Sequence, residues 1–257
     1  CLVAALIVLV VLLGIWGRRI GRRQRARAGA QRDARQADAR LAINARLAPD
    51  VEIRGFPGSD PDVQPARPAE YCLPRAVSAA ASAVRESGTL TVNEPHALVA
   101  ADPADRDPSF ALSYRVADYA AILALRDRGV PFPPIITANV LACCARRDTI
   151  FVLRRSDDVA THPGSLTIAG GNYKAPPAHD NDGGSLRRTA ERELAEEMGL
   201  RVRIPDDCVR VSARQGMSGG TEQFWQLNFL GVDIDPADAD LAGSSSEGHV
   251  LPLSMKK

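Results

Sequence analysis

Arg192-Glu193-Leu194-Ala195-Glu196-Glu197-Met198-Gly199-Leu200 decides the reading of this chain. It predicts the end of a helix over 185–198. Ser185 supplies the side-chain oxygen that caps a helix start, and Gly199 suits the left-handed residue that ends one. With about 100° between successive residues, Glu196 lies roughly 60° to one side of Glu193 and Glu197 about 40° to the other. Three carboxylates therefore share one arc, at the edge of the apolar stripe Leu186, Ala190 and Leu194. They repel one another, and they sit at the helix end that already carries partial negative charge. A divalent cation offsets both costs, and hard oxygen ligands select magnesium or manganese. The same acids also fit a solvated helix face with Arg192 and Glu196 as an i,i+4 pair, so from these residues alone both readings stand.

Working outward, IITANVLACC (135–144) reads as a buried strand, RRD (146–148) as a turn and TIFVLRR (149–155) as a second strand of a hairpin. LTIAGG (166–171) is a short strand ending in a glycine pair. RVRI (201–204), CVRVSAR (208–214), FWQLNFLGVDI (224–234) and HVLPL (249–253) are strand-like. Upstream, 74–86 and 114–129 predict helices, PFPP (131–134) breaks the chain, and the five prolines of 48–70 read as a linker. Strands on both sides of an isolated helix predict an α/β layered fold.

The stretch REL-x-EE-x-GL resembles the second half of the Nudix box, Gly-x5-Glu-x7-Arg-Glu-U-x-Glu-Glu-x-Gly-U with U aliphatic. Arg192, Glu193, Leu194, Glu196, Glu197, Gly199 and Leu200 fill every fixed position of that half. The first half departs: Gly184 stands where the box has Glu, Ala178 where it has Gly, and the Gly170–Gly171 pair is displaced by an insertion, roughly KAPPAHD. One acid that assists the metal site is thus absent. The resemblance covers residues 135–257. It implies a Nudix-type α/β/α sandwich with a mixed sheet, here preceded by a transmembrane helix (1–17), a basic then Pro-rich linker (18–70) and a small, mostly helical extension (71–134).

The resemblance also implies magnesium-dependent hydrolysis, with manganese as a substitute, of a nucleoside diphosphate linked to another moiety, by water attack on phosphorus. Glu196 and Glu197 are the expected metal ligands, Glu193 a ligand or the general base, and the Gly170 carbonyl a further ligand. Arg192 is expected to orient a carboxylate. Glu247 and Glu222 are candidate bases, and Arg154 and Arg155 candidate phosphate contacts, although neighbours on a strand point apart. A Nudix-like module that binds nucleotide without turnover is the alternative, motivated by Gly184 and Ala178. The start at Cys1 in place of Met, and the stop just after a strand, lead us to expect a piece of a longer chain.

The composition narrows the remaining classes. Apolar residues at 45% and charged residues at 25% exclude a collagen, a coiled-coil rod and a fully disordered chain. Residues 1–47 hold ten Arg and two Asp, a net of +8, against 22 basic and 29 acidic residues beyond, a net of −7. The basic excess is local, so no nucleic-acid partner is expected. Residues 2–16 (LVAALIVLVVLLGIW) lack any polar side chain and precede an arginine run. They are expected to meet membrane lipid as a single-pass anchor, with the arginines and the catalytic body held in the cytoplasm. Five cysteines without CxxC spacing fit reduced thiols.

Overall fold

The structure is a computed structural model. It describes residues 51–255 apart from 56, 58, 89, 91–92, 102–110, 158–162, 176–181, 217–222, 240–241, 244 and 246. The expected anchor and basic segment, Glu222, Ala178 and most of the insertion lie outside the described residues. Among the described residues no helix is long and apolar enough to cross a membrane.

The strands are β1 (Val51–Gly55), β2 (Asp62–Glu70), β3 (Pro95–Ala101), β4 (Ala111–Asp118), β5 (Ile135–Cys144), β6 (Thr149–Arg155), β7 (Leu166–Thr167), β8 (Ala169–Asn172), β9 (Val209–Gly216), β10 (Gln223–Asp233) and β11 (Gly248–Ser254). The helices are α1 (Arg75–Glu86), α2 (Tyr119–Asp127), α3 (Leu186–Met198) and the single turn α4 (Pro236–Ala239). One mixed sheet runs β1-β9-β10-β5-β3-β4-β2. Its parallel pairs are β5 with β10 and β2 with β4. Along its other edge β5 meets three partners in turn, all antiparallel: β3 at Ile135, β8 over Thr137–Val140 and β6 at Cys143–Cys144. The sheet therefore forks at β5, and β8 lies in the fork.

Alternation along β5 decides what each face buries. Ile136, Ala138, Val140 and Ala142 pack with Leu186, Ala190, Leu194 and Met198 of α3. Ile135 packs on the opposite face with Val77 and Ala81 of α1 and Ile122 and Leu125 of α2. Helices thus cover both faces, the layered arrangement expected. Cys144 and Cys143 fall into cores on opposite faces, as their adjacency requires.

Three expectations are corrected. The extension is not mostly helical: β3 and β4 lie between α1 and α2 and extend the sheet. Residues 114–118 belong to β4, where Leu112 and Tyr114 alternate inward. The helix starts only at Tyr119, where Asp118 accepts from the Ala121 N–H at 2.9 Å. Second, the Pro-rich segment is not all linker, because 51–55 and 62–70 are edge strands. Proline is tolerated on an edge, where one side needs no hydrogen-bonded partner. Third, 201–204 is not a strand, and the Ile204 N–H is taken by the Glu191 carboxylate at 2.8 Å.

Candidate active site

Local signals fix α3 at both ends. Ser185 Oγ accepts from the Arg188 N–H at 3.3 Å. Gly199, at φ 72°, donates to the Ala195 carbonyl at 3.1 Å, and Leu200 donates to Leu194 at 3.3 Å. The first of these is the bond that closes a helix on a left-handed glycine. With Leu186, Ala190 and Leu194 fully buried, the helix has one rotational setting, and that setting turns Glu193 and Glu197 toward β8.

Glu197 is buried, and its Oε2 accepts from the Gly170 N–H at 2.8 Å. Gly170, whose carbonyl is the expected further metal ligand, is thereby seated against the helix through its amide. Burial pushes the Glu197 carboxyl up to about 8; the Gly170 N–H opposes this, while the charges of Glu193 and Glu247 add to it. Burial likewise raises Glu193 to about 7, against the pull of Arg192. Close packing explains the glycine pair. A Cβ on Gly170 would collide with the Asn139 side chain and the Ala138 carbonyl, and one on Gly171 with the Glu193 carboxylate. Gly171→Ala is therefore expected to displace Glu193 from Arg192. In the hydrolase reading proposed below, the rate should fall about tenfold or more while the melting temperature moves little, because the strained group is a side-chain end; paired rate and melting measurements check this.

Arg192 organises the cluster. Its Nη1 donates to Glu193 Oε1 at 2.5 Å and to Glu196 Oε2 at 3.0 Å. Its Nη2 donates to the Asn172 carbonyl at 3.0 Å, and Nε donates to Asp182 Oδ1 at 3.2 Å. Burial disfavours the guanidinium charge, but the Asp182 hydrogen bond and the charges of Glu193, Asp182 and Glu196 outweigh it and raise its pKa.

Asp182 was not legible as a site residue. It is 3% exposed and also accepts from the Lys174 N–H at 2.8 Å and the Thr189 hydroxyl at 2.9 Å. The available signal was its place, two residues before the Gly184 that lacks the expected acid. Gly184 itself, at φ +78°, donates its N–H to the Tyr173 hydroxyl at 3.1 Å, and a Cβ there would face the Val63 carbonyl. Gly184→Glu is accordingly expected to lower the melting temperature, at a backbone cost on the order of 1 kcal/mol or more. In the same reading, the magnesium concentration for half-maximal rate should stay unchanged, because Asp182 already holds Arg192.

The other predicted residues divide. Arg155 Nη2 meets Glu247 Oε2 at 3.4 Å, and the charges of both act on Glu197. Arg155 shares the strand face of Leu153 and Phe151, which pack against α3. Arg154 is exposed on the opposite face and lies away from the acids. Glu196 joins the cluster with its side chain 54% exposed. Trp225 is core.

The donor set suits a hard divalent cation: three carboxylates on one helix edge, Glu197 buried and Glu193 partly buried, both at a cost in charge. Among the described residues no three His, Cys, Asp or Glu side chains are already gathered around a common point, and Arg192 holds two of the carboxylates.

The arrangement is a mixed, forked sheet with helices on both faces and an acidic helix against a glycine-pair strand. No protein-family model matches the chain, and no curated protein matches it. The chain is similar to the solved MutT protein of Methanosarcina mazei, at 20% identity over 48% of this chain and 78% of that one, with a TM-score of 0.33. It is also similar to a bifunctional NMN adenylyltransferase/ADP ribose pyrophosphatase of Francisella tularensis, solved with AMP and a manganese ion. That match has 14% identity, spans 54% of this chain and 43% of that one, and has a TM-score of 0.35. The Nudix domain of Shewanella oneidensis NrtR, solved with ADP ribose, is similar at 14% identity over 48% of this chain and 75% of that one, with a TM-score of 0.31.

Proposed function

We propose that this chain is a Nudix-type hydrolase that cleaves the diphosphate of a nucleoside diphosphate derivative, with magnesium or manganese as cofactor. The observation that carries the reading is the pair formed by buried Glu197 and partly buried Glu193 beside Arg192. Two carboxylates that burial drives toward neutrality are costly in a resting fold and well placed to gain from a cation. When bound, a divalent ion supplies charge neutralisation of the diphosphate and a more acidic water. Glu193, Glu196 and Glu197 would hold it. Arg192 keeps Glu193 and Glu196 in register, and Asp182 and the Asn172 carbonyl keep Arg192 in place. Arg155 faces the cluster and is the residue for a phosphate oxygen. Glu247, beside it, is the candidate to take the proton of the attacking water.

The test is release of nucleoside monophosphate from a panel of ADP-ribose, nucleotide sugars and dinucleoside polyphosphates, with magnesium or manganese. Absence of turnover on the whole panel by folded, metal-replete protein overturns the reading. The second reading, a module that binds nucleotide without turnover, is favoured by the pairing of Arg192 with both Glu193 and Glu196. It predicts saturable binding of the same panel with no product. We also propose that residues 2–16 tether the protein to the cell membrane with its body in the cytoplasm. A periplasm-active signal from a reporter fused after Lys257 would overturn that topology.

A further inference from the structure

His96 lies on β3, far in sequence from the acidic helix, and is 7% exposed. Its ring stacks on Tyr119, with centroids 5.4 Å apart. Nδ1 is 3.1 Å from the Glu94 carbonyl, and Nε2 is 3.0 Å from the Asn172 side-chain nitrogen. A carbonyl can only accept, so Nδ1 must carry the proton that bonds it. In the neutral ring Nε2 is then a bare acceptor, and it dictates that Asn172 present its NH2 rather than its oxygen. Asn172 is the residue whose backbone carbonyl receives Arg192 Nη2 at 3.0 Å. It directly follows the glycine pair that seats Glu193 and Glu197. One chain of hydrogen bonds thus runs from Glu94 through His96 and Asn172 to the guanidinium that grips Glu193 and Glu196.

We propose that His96 is a positioning residue for the hydrolytic site: as the Nδ1–H tautomer it fixes Asn172, and through the Asn172 carbonyl it fixes Arg192. The role rests on the hydrolase reading only for its effect on rate; the hydrogen-bond chain stands without it. It also gives β3 a function that the boundary at residue 135 would have denied it. His96 reaches Arg192 through Asn172, so its removal should act on turnover through geometry, not on substrate affinity.

His96→Leu keeps an apolar body of similar size without an acceptor. His96→Gln can place an amide oxygen near the position of Nε2. In wild type, nitrogen NMR of the imidazole should show a neutral ring protonated at Nδ1. The Arg192 Nη2–H signal, whose bond to the Asn172 carbonyl is at stake, should be protected from exchange in wild type and in His96→Gln, and should shift and exchange faster in His96→Leu. On a substrate that wild type turns over, His96→Leu should lower kcat by about ten- to a hundredfold with KM within about twofold, and His96→Gln should recover most of the loss. A ring protonated at Nε2, or an Arg192 signal indifferent to His96→Leu in a folded variant, overturns the proposal. So does a glutamine variant no better than leucine. If wild type turns over nothing, the hydrolase reading fails while the two NMR measurements still decide the role of His96.

Discussion

Glu197→Gln is expected to abolish most hydrolysis and, at the same time, to raise the melting temperature of the metal-free protein at pH 8. Glutamine keeps an oxygen for the Gly170 N–H and removes the buried charge. The carboxyl ionises at an ordinary 4.5 when unfolded and at about 8 in the fold. Between those values the native state holds a proton that the unfolded chain has lost. The stability due to that proton is complete below about pH 4.5 and is lost as pH rises through 8. At about 1.4 kcal/mol per pH unit, the ionised Glu197 costs the fold on the order of 5 kcal/mol above pH 8. The variant does not carry this cost, so the two melting curves should meet near pH 4.5 and separate as pH rises, at roughly 2–4 °C per kcal/mol. Magnesium should raise the wild-type melting temperature and leave the variant nearly unmoved, and the rate should drop at least about a hundredfold. Parallel melting profiles from pH 5 to 9, or an unaltered rate at saturating magnesium, would return Glu197 to an ordinary helix face.

How much of this site was legible follows from which signals are local. The helix over 186–198 was readable because Ser185, the Leu186–Ala190–Leu194 stripe and Gly199 all mark it within one short stretch of chain. The long buried strands 135–144 and 149–155 were readable because near-continuous apolar runs end in charged turns. Residues 114–118 were misread because the alternation Leu112–Tyr114 runs without a break into the helix that Asp118 caps. Residues 51–70 were misread because proline density is the same signal in a tether and in an edge strand; only pairing with β4 and β9 tells them apart. RVRI alternates like a strand, but Leu200 and Ile204 follow the helix closure and turn into the core instead. Asp182 left only its place two residues before Gly184, and His96 left no spacing signal at all. Asp182 acts through an arginine of the helix that follows it, and a lone histidine in PHALVAA has nothing beside it in sequence to mark it.

The largest stability loss among single changes outside the acidic cluster is expected for Asp60→Ala, in the segment that reads as linker. Asp60 Oδ1 accepts from Arg210 Nε at 2.6 Å, and Oδ2 accepts from Arg187 Nε at 2.7 Å. Arg210 is the more dependent partner: its side chain is 4% exposed and lies 5.9 Å from the Phe229 ring centroid. Its remaining bonds go to the carbonyls of Cys208 and Asp206 at 3.0 and 2.9 Å, which leave the full charge without a counter-ion. Arg187 keeps the Asp206 carboxylate at 2.8 Å and adds less to the loss. Stranding a buried guanidinium in this way costs about 3 kcal/mol or more, a fall of roughly 6–12 °C in melting temperature for a domain of this size. The cost comes from the abandoned charge and not from the missing bond, so a second change should recover much of it. Asp60→Ala combined with Arg210→Met removes the charge and leaves an apolar chain against Phe229. A double variant as unstable as the single one would show instead that Asp60 acts by anchoring the chain between β1 and β2 to α3. A single variant that melts with the wild type would mean that neither the ion pair nor the anchor holds this segment to the fold.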